Sequence, residues 1–326
     1  MQIHVIHENA AWLAPLAQAL DAEGLPWSDW FLDRGVFDLS RPPPEGVFYN
    51  RMSASSHTRD HRYAAELTAG VLAWLAGHGR RVVNGPRALD LEISKARQYA
   101  ALDAAGIRTP RTVLVAGKEE LAAAARQHFG SGSGDGPVIL KPNRGGKGLG
   151  VRLFQTAAAL ADYVASAEYE APVDGLQLLQ QYVRAPVIGS IGPLITRAEF
   201  IGGRFLYAVE VDTSDGFELC PADQCAVGDA FCPAGEEPRA KFTIIDDIDA
   251  GLKRRCEAFL AANGIEVAGI EFIRDDSGAA YTYDINTNTN YNPEAEARAG
   301  RSAMTALARF LGAELAQVAG RREAAE

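Results

Sequence analysis

The stretch Val138-Ile139-Leu140-Lys141-Pro142-Asn143-Arg144-Gly145-Gly146-Lys147-Gly148-Leu149-Gly150-Val151 constrains this chain more than any other. An apolar run delivers a lysine. A loop of four glycines and two further cations follows, and β-rich sequence resumes at Val151. Glycine has no Cβ and tolerates positive φ, so backbone N–H groups in such a loop can approach phosphate oxygens closely. Arg144 and Lys147 add charge for a polyanion. The spacing is neither G-x-x-x-x-G-K-[ST] nor G-x-G-x-x-G opening a helix. Here the lysine precedes the glycines at a strand end, and strand residues follow. The pattern predicts a β-hairpin whose glycine tip covers a nucleotide. A solvated hairpin tip with charges for solubility would read the same way in isolation.

The rest of the chain narrows the ligand class. Its 42 acidic residues against 32 basic ones give a net charge of −10. That balance argues against a nucleic-acid backbone or an anionic membrane as the main partner. At 47% hydrophobic and 23% charged residues, the 326-residue chain has the composition of a soluble enzyme of two or three domains. No apolar run approaches the roughly 18–20 residues of a membrane span. Met1–His7 lacks a cationic region before its apolar run and reads as a strand, not a signal peptide. Four cysteines (Cys220, Cys225, Cys232, Cys256) are few for this length and read as reduced thiols in a cytoplasmic protein.

Residues 1–90 alternate strand and helix. Strands are expected at Ile3–His7, Gly46–Asn50 and Arg81–Asn84, with helices at Ala10–Glu23 and Tyr63–His78 between them. That alternation predicts a parallel sheet, with ligands at the carboxyl ends of its strands. A second unit, 91–175, opens with a helix at Ser94-Lys95 and continues through a strand at Arg111–Val115 and a helix at Lys118–His128. The flexible connection Phe129–Pro137, the glycine hairpin and a helix at Ala157–Ala167 complete it. A third unit, 176–326, holds several strands, a helix at Asp247–Asn263, the late strands Val267–Arg274 and Ala280–Asn286, and a last helix after Ser302. The fold class is α/β, turning α+β toward the C-terminus.

The two late strands carry a second signal. Asp284 and Asn286 are two apart and share a face, and Glu271 on the preceding strand can meet them across an antiparallel pair. Two carboxylates and an amide oxygen are a hard-oxygen set suited to Mg²⁺. A polar outer face of a sheet edge is the other reading. The Asn-rich run Thr287–Asn292 favours a wet, hydrogen-bonding site at the strand end.

Lys95 at a helix start, Lys141 before its glycine hairpin, Leu178–Val183 (Leu-Leu-Gln-Gln-Tyr-Val), Arg197, and Glu271…Asp284-x-Asn286 come in the order found in ATP-grasp enzymes. Asn84–Thr112 is similar to the corresponding segment of RimK-type glutamate ligases. The resemblance spans nearly the whole chain. It implies an ATP-grasp fold, with an N-terminal parallel-sheet domain and two α+β subdomains clamping ATP. It also implies an ADP-forming carboxylate–amine ligase working through an acyl phosphate. In that pattern Lys95 and Lys141 contact ATP phosphates, and Lys141 also lies near the adenine. Gly145, Gly146, Lys147, Gly148 and Gly150 form the lid. Gln180, Gln181, Tyr182 and Val183 hold the adenine edge. Arg197, with Lys141, stabilises charge on the transferred group, and Glu271, Asp284 and Asn286 bind Mg²⁺ or Mn²⁺. Many relatives carry Glu at the positions of Gln181 and Asp284. No acidic residue follows the hinge in Arg184–Gly192, so the ribose contact has no candidate. An ATP-grasp enzyme with another acceptor, such as a thiol, and a nucleotide-binding regulatory protein are the alternatives.

The substrates are expected to be small amino acids or peptides, or a peptide or protein tail, and the assembly a homo-oligomer. Arg51 and Arg59, in the donor-rich insert after the second strand, are candidates for a substrate carboxylate. Arg298 and Arg301 are further candidates, although arginines at helix starts are common on surfaces. Cys220, with Cys225 and Cys232, lacks a paired zinc spacing and reads as a loop lining the substrate site, or as small buried thiols. His57 and His61, four apart, read as solvated or substrate-facing.

Overall fold

The computed structural model describes residues 1–131, 134–146, 148–186, 193–213 and 241–324. In the N-terminal part β1 (Gln2–His7), α1 (Ala10–Ala22), β2 (Trp27–Phe31), β3 (Gly46–Asn50), α2 (Ala64–Gly77) and β4 (Arg81–Val83) alternate, and a short helix α3 (Pro86–Glu92) follows. The four strands are parallel in the order β2-β1-β3-β4. Sequence analysis passed over β2. Its alternating pattern is half-exposed and its residues form an edge, so it lacks a continuous apolar signature. α1 starts where Asn9 accepts the N–H of Trp12 at 3.2 Å, and it buries Leu13, Leu16 and Leu20 along one stripe. Chain direction across the sheet diverges between β1 and β3. Their carboxyl ends therefore open a crevice where ligands bind in parallel α/β sheets.

The central part contains α4 (Lys95–Ala104), β5 (Thr112–Ala116), α5 (Leu121–Phe129), the two-residue strands β6 (Gly130–Ser131) and β7 (Gly134–Asp135), β8 (Val138–Pro142), β9 (Arg152–Phe154), α6 (Ala157–Ala165) and β10 (Leu176–Gln181). Its sheet is antiparallel in the order β5-β10-β8-β9. β8 and β9 are the arms of the glycine hairpin. β6 and β7 pair where a flexible connection was expected.

The last part is β11 (Leu194–Ile201), β12 (Arg204–Asp212), β13 (Phe242–Ile245), α7 (Ala250–Ala262), β14 (Val267–Arg274), β15 (Ala280–Asn286), α8 (Pro293–Ala299) and α9 (Ala303–Glu323). The sheet runs β13-β12-β11-β14-β15, all antiparallel. Ser302 caps α9 by accepting the N–H of Thr305 at 3.2 Å.

Two expected boundaries shift. β10 opens the expected third unit, 176–326, yet it lies between β5 and β8 in the central sheet, because Leu178 and Leu179 are buried there. α9 ends the chain but packs on α1 and β3, with Leu307, Leu311 and Leu315 forming an i, i+4, i+8 stripe. One core joins that stripe to Val5 and Val47 of the first sheet, to Leu16 of α1 and to Val209 and Val267 of the last sheet. The first and last sheets are thus held together by shared burial.

Candidate active site

Asn143 brings the two lysines together. Ser94 caps α4, and Asn143, just beyond β8, ties that cap to the hairpin. Its Oδ1 accepts the Ala96 N–H at 2.9 Å and the Ser94 hydroxyl at 3.2 Å, and its carbonyl accepts the Lys95 N–H at 3.1 Å. α4 is docked on β15 by Gln98. This side chain donates to the Ile285 carbonyl at 2.8 Å and accepts its N–H at 3.0 Å. Lys95 Nζ then donates to Asp284 Oδ1 at 2.6 Å. Lys141 Nζ donates to the Tyr99 hydroxyl and lies 3.4 Å from the Tyr283 carbonyl. The Tyr99 hydroxyl also accepts from Gln180 at 2.9 Å and donates to the Tyr283 carbonyl at 2.7 Å. With two bonds accepted and one donated, that oxygen is saturated.

The last sheet presents two cross-strand rows to the same space. Arg197, Glu271 and Asp284 are register partners across β11, β14 and β15, and Glu199, Gly269 and Asn286 form the next row. Gly269 leaves an empty seat in its row, and the Arg197 guanidinium occupies it. A Cβ on Gly269 would lie 2.5 Å from Nη2 of Arg197. In that seat Arg197 donates to Glu199 at 2.6 Å, to Glu271 at 2.8 Å and to the Thr289 hydroxyl at 2.6 Å. Asn286 Nδ2 donates to Glu271 at 3.2 Å.

Lys95, Lys141, Arg197, Glu271, Asp284 and Asn286 all line one cavity of about 270 Å³. Gly145, Gly146 and Gly148 roof it, and Gln180, Gln181, Tyr182 and Val183 form one side. Gly148 and Gly150 hold φ of 75° and 73°, a conformation that a side chain strains. Gly150 packs toward Pro142 and does not line the cavity. The opposite wall is Trp12, Ser53 and Ser55 from the carboxyl ends of β1 and β3, with Asn288 and Asn290. Arg144 of the hairpin donates to Glu66 on α2 at 2.6 Å, so the glycine roof rests on the N-terminal domain.

Burial sets the charges of this cavity. It pushes the Lys141 ammonium down to about 7, and Lys95 adds to that push while Asp284 and Glu271 oppose it. Burial also pushes Glu271 up, against the pull of Arg197. For Asp284 burial works upward too, but Lys95, Lys141 and Arg197 together hold it below the usual carboxylate range. Glu271, Asp284 and Asn286 supply hard oxygens on adjacent strands, a donor set that fits a Mg²⁺ ion. Among the described residues no cluster of three or more His, Cys, Asp or Glu forms a metal site.

No model of a known protein family matches the chain, and no curated protein matches it in sequence. Its structure does have counterparts. A RimK-domain ATP-grasp protein from Sphaerobacter thermophilus aligns with a TM-score of 0.63 at 18% identity, over 95% of this chain and 99% of its own. D-alanine–D-alanine ligase from Bacillus anthracis aligns with a TM-score of 0.65 at 15% identity, over 99% of both chains. The ATP-grasp ligase PsnB, solved with a phosphomimetic variant of a minimal precursor, Mg and ADP, gives 0.61 at 17% identity, over 96% of this chain and 98% of its own. The chain has the ATP-grasp fold.

Each of the four arginines proposed for substrate carboxylates has partners of its own within the chain. Arg51 is buried and donates to the Trp12 and Thr289 carbonyls and to Asn290 and Asn288, at 2.9–3.4 Å. It is a strut under the Asn-rich loop and does not line the cavity. Arg59 clasps Glu8 with two bonds, 2.6 and 3.1 Å, and lies over the Trp12 ring. His61 bonds the other side of Glu8 at 2.9 Å, and His57 bonds the Ala54 carbonyl at 3.1 Å. Arg298 donates to the Phe242 carbonyl, and Arg301 pairs with Asp246, both beside β13. Gln180 keeps its place in the wall, and its amide is bonded to Tyr99 and Thr112. Lys147, Cys220, Cys225 and Cys232 fall outside the described residues. Cys256 is a buried free thiol whose pKa burial pushes up to about 12.

Sequence reasoning missed Tyr99, Asn143, Glu199 and Glu92. Tyr99 lies one helical turn beyond Lys95, and Glu199 is two residues past Arg197 on the same strand face. Those two offsets could have found them. Nothing local distinguishes Asn143 or Glu92.

Proposed function

We propose that this protein is an ATP-dependent carboxylate–amine ligase. It would form an amide through an acyl phosphate and release ADP and phosphate. The observation that carries the reading is the meeting of Lys95, Lys141 and Arg197 with Glu271, Asp284 and Asn286 in one cavity under the glycine hairpin. Phosphoryl transfer needs positioned charge more than a covalent nucleophile, and this set supplies it. D-alanine–D-alanine ligase and PsnB, ligases by name, share the fold, which favours the same class here.

In this reading Lys95 and Lys141 bind the phosphates, and Gly145–Gly150 closes over them. The backbone of Gln181–Val183 meets the adenine. Glu271, Asp284 and Asn286 would hold Mg²⁺, which when bound neutralises phosphate charge. Mn²⁺ has the same preference for oxygen donors. Arg197, held by Glu199 and Thr289, faces the transferred phosphoryl group. The acid substrate enters the crevice at the carboxyl ends of β1 and β3, beside Trp12, Ser53 and Ser55. Its class is an amino acid or peptide, since the neighbouring ligases include PsnB, solved with a precursor peptide, and D-alanine–D-alanine ligase. Among the described residues no helix is long and apolar enough to cross a membrane. A cytoplasmic location, with reduced cysteines, belongs to the same reading, as does a homo-oligomeric assembly. The first sheet, the central sheet and the last sheet act as acceptor, lid and metal units.

The test is ADP release in the presence of Mg-ATP, pooled carboxylic acids and pooled amines, resolved by mass spectrometry. Hydroxylamine in place of the amine should trap a hydroxamate. Products of AMP and pyrophosphate would overturn the acyl-phosphate route.

A further inference from the structure

The charged groups of the cavity wall are almost all matched. Lys95 is bonded to Asp284, and Arg197 to Glu271 and Glu199. Two wall residues have no hydrogen-bonded partner of opposite charge among the described residues. One is Lys141, bonded to a hydroxyl and a carbonyl, which is the free cation a polyphosphate requires. The other is Glu92.

Glu92 ends α3 and is only 7% exposed, yet it lines the cavity. Its Oε2 accepts the N–H of Thr287 at 2.6 Å and the Thr287 hydroxyl at 3.1 Å. Its Oε1 has a single, longer bond, from the Ala54 N–H at 3.3 Å. The nearest cation in sequence, Lys95, is turned to Asp284. Glu92 therefore lines the cavity between Thr287, just past β15, and the Ser53–Ser55 loop, and its Oε1 carries one long bond only. A buried carboxylate with only neutral donors is costly unless a cation completes it. Burial also raises its pKa, partly relieved by the Thr287 and Ala54 N–H groups.

We propose that Glu92 is the seat of the amine substrate's ammonium group, so that the acceptor is a basic primary amine, not a hydroxyl or a thiol. The inference rests on the ligase reading above and adds the acceptor's chemistry to it. A neutral nucleophile gains little from a carboxylate whose lone pairs are already partly used. An ammonium gains a charge-assisted bond in a site shielded from water. It passes one proton to the Glu92 carboxylate before the neutral nitrogen attacks the acyl phosphate; the second proton leaves with the departing phosphate as the amide forms.

The experiment compares the wild-type chain with Glu92→Gln, using the acid found by the screen above. Each is assayed with the best amine of the screen and, separately, with hydroxylamine, which is uncharged at neutral pH. Loss of one charge-assisted bond predicts a rise of about ten- to a hundredfold in KM for the cationic amine, and a much smaller one for hydroxylamine. Glu92→Asp, which keeps the charge, should restore part of the amine KM. Equal losses for both nucleophiles, or rescue by neither charge nor length, would make Glu92 a strut between Ala54 and Thr287 and overturn the proposal. Unchanged amine KM in Glu92→Gln would also overturn it. If no acid yields a hydroxamate in the wild type, the ligase reading itself has failed. The ammonium seat is then read directly, by titrating n-butylammonium chloride into the Mg-ADP complex and following thermal stability. Stabilisation of the wild type and not of Glu92→Gln supports the seat, and equal responses reject it.

Discussion

Lys95 Nζ lies 2.6 Å from Asp284 Oδ1, so a proposed phosphate ligand and a proposed metal ligand neutralise each other when neither phosphate nor metal is bound. Both side chains are largely buried, at 9% and 17% exposure. An unpaired charge in such a place costs several kcal/mol, roughly 3–5 when one partner of a buried pair is removed. In the proposed reading, binding Mg-ATP would exchange partners: the lysine would turn to phosphate and the carboxylate to the cation. Charge is conserved through the exchange, so the empty site can stay folded and still bind a polyanion.

Asp284→Asn tests that exchange. The amide still accepts from Lys95 but no longer neutralises it, so stability should fall by up to several kcal/mol while the fold, with its separate core, persists. Charge neutralisation at the phosphates should suffer far more. Turnover is expected to fall by roughly 10²–10³, the scale of losing one transition-state electrostatic partner, while ADP affinity changes less. Steady-state ADP release and calorimetry give both numbers. A wild-type rate with wild-type Mg²⁺ dependence would move the metal role to other residues.

Lys141 should make nucleotide binding pH-dependent. Burial lowers its pKa from the usual 10.5 to about 7 in the ligand-free chain. Phosphate oxygens beside it favour the ammonium form, so above pH 7 binding should take up as much as about one proton. Affinity should therefore weaken as pH rises past 7. The sign for folding is opposite. Between pH 7 and 10.5 the unfolded chain binds the extra proton, so this residue's contribution makes the fold more stable as pH rises in that window. Calorimetry of Mg-ADP at pH 8 in two buffers of different ionisation enthalpy reads the uptake. Lys141→Met should abolish it, and equal uptake in that variant would assign the proton elsewhere.

The glycine roof is latched by Arg144 to Glu66, at 2.6 Å, with Glu66 half exposed. An ion pair with one solvated partner is worth at most about 1 kcal/mol, so the latch biases the hairpin without locking it. Burial of Glu66 is outweighed by Arg144, which holds its carboxyl low, so the latch persists through neutral pH. Glu66→Gln should speed hydrogen exchange of Asn143–Gly146 and of Gly148–Gly150 by a few-fold without nucleotide. Mg-ATP should slow exchange there in both proteins, because ordering glycine backbone needs ligand contacts to offset its entropy. Exchange that ignores both the substitution and the nucleotide would show that the hairpin is no lid.

How much of this was legible in the sequence depends on the range of the interaction. Asp284 and Asn286 share a face because strand period is two, and Glu271 meets Asp284 because a short turn fixes their register. Lys141 is recognisable from the glycines that follow it. Arg51's partners, Thr289 and Asn290, lie 238 and 239 residues away. Its guanidinium looked free only because no local pattern names them. Arg59's partner Glu8 lies 51 residues earlier and is equally invisible to a local pattern. β10 has an apolar run that suits either sheet, and only pairing with β5 and β8 decides between them. The α9 stripe reads plainly as amphipathic, but its helical period says nothing about which sheet it covers.

Gly269→Ala tests Arg197 without altering any charge. The added Cβ would sit 2.5–2.6 Å from the Nη2, Cζ and Nε atoms of the guanidinium, closer than any real contact, and the obstacle is a side chain pinned by three acceptors. Arg197 must therefore leave its seat, breaking bonds to Glu199, Glu271 or Thr289. Overpacking of this kind costs about 1–3 kcal/mol of stability. The fold, held by the shared core of the first and last sheets, should persist. If Arg197 meets the transferred phosphoryl group, a displacement of about an ångström should lower kcat roughly 10²-fold, with less change in KM for ATP. Arg197→Lys should fall at least as far, because an ammonium cannot reproduce the three-way fork. The pair of variants is decisive when read by ADP release with the acid and amine of the screen. A Gly269→Ala protein that is folded and keeps the wild-type kcat would show that Arg197's position is irrelevant to turnover, and its role would reduce to holding the sheet together.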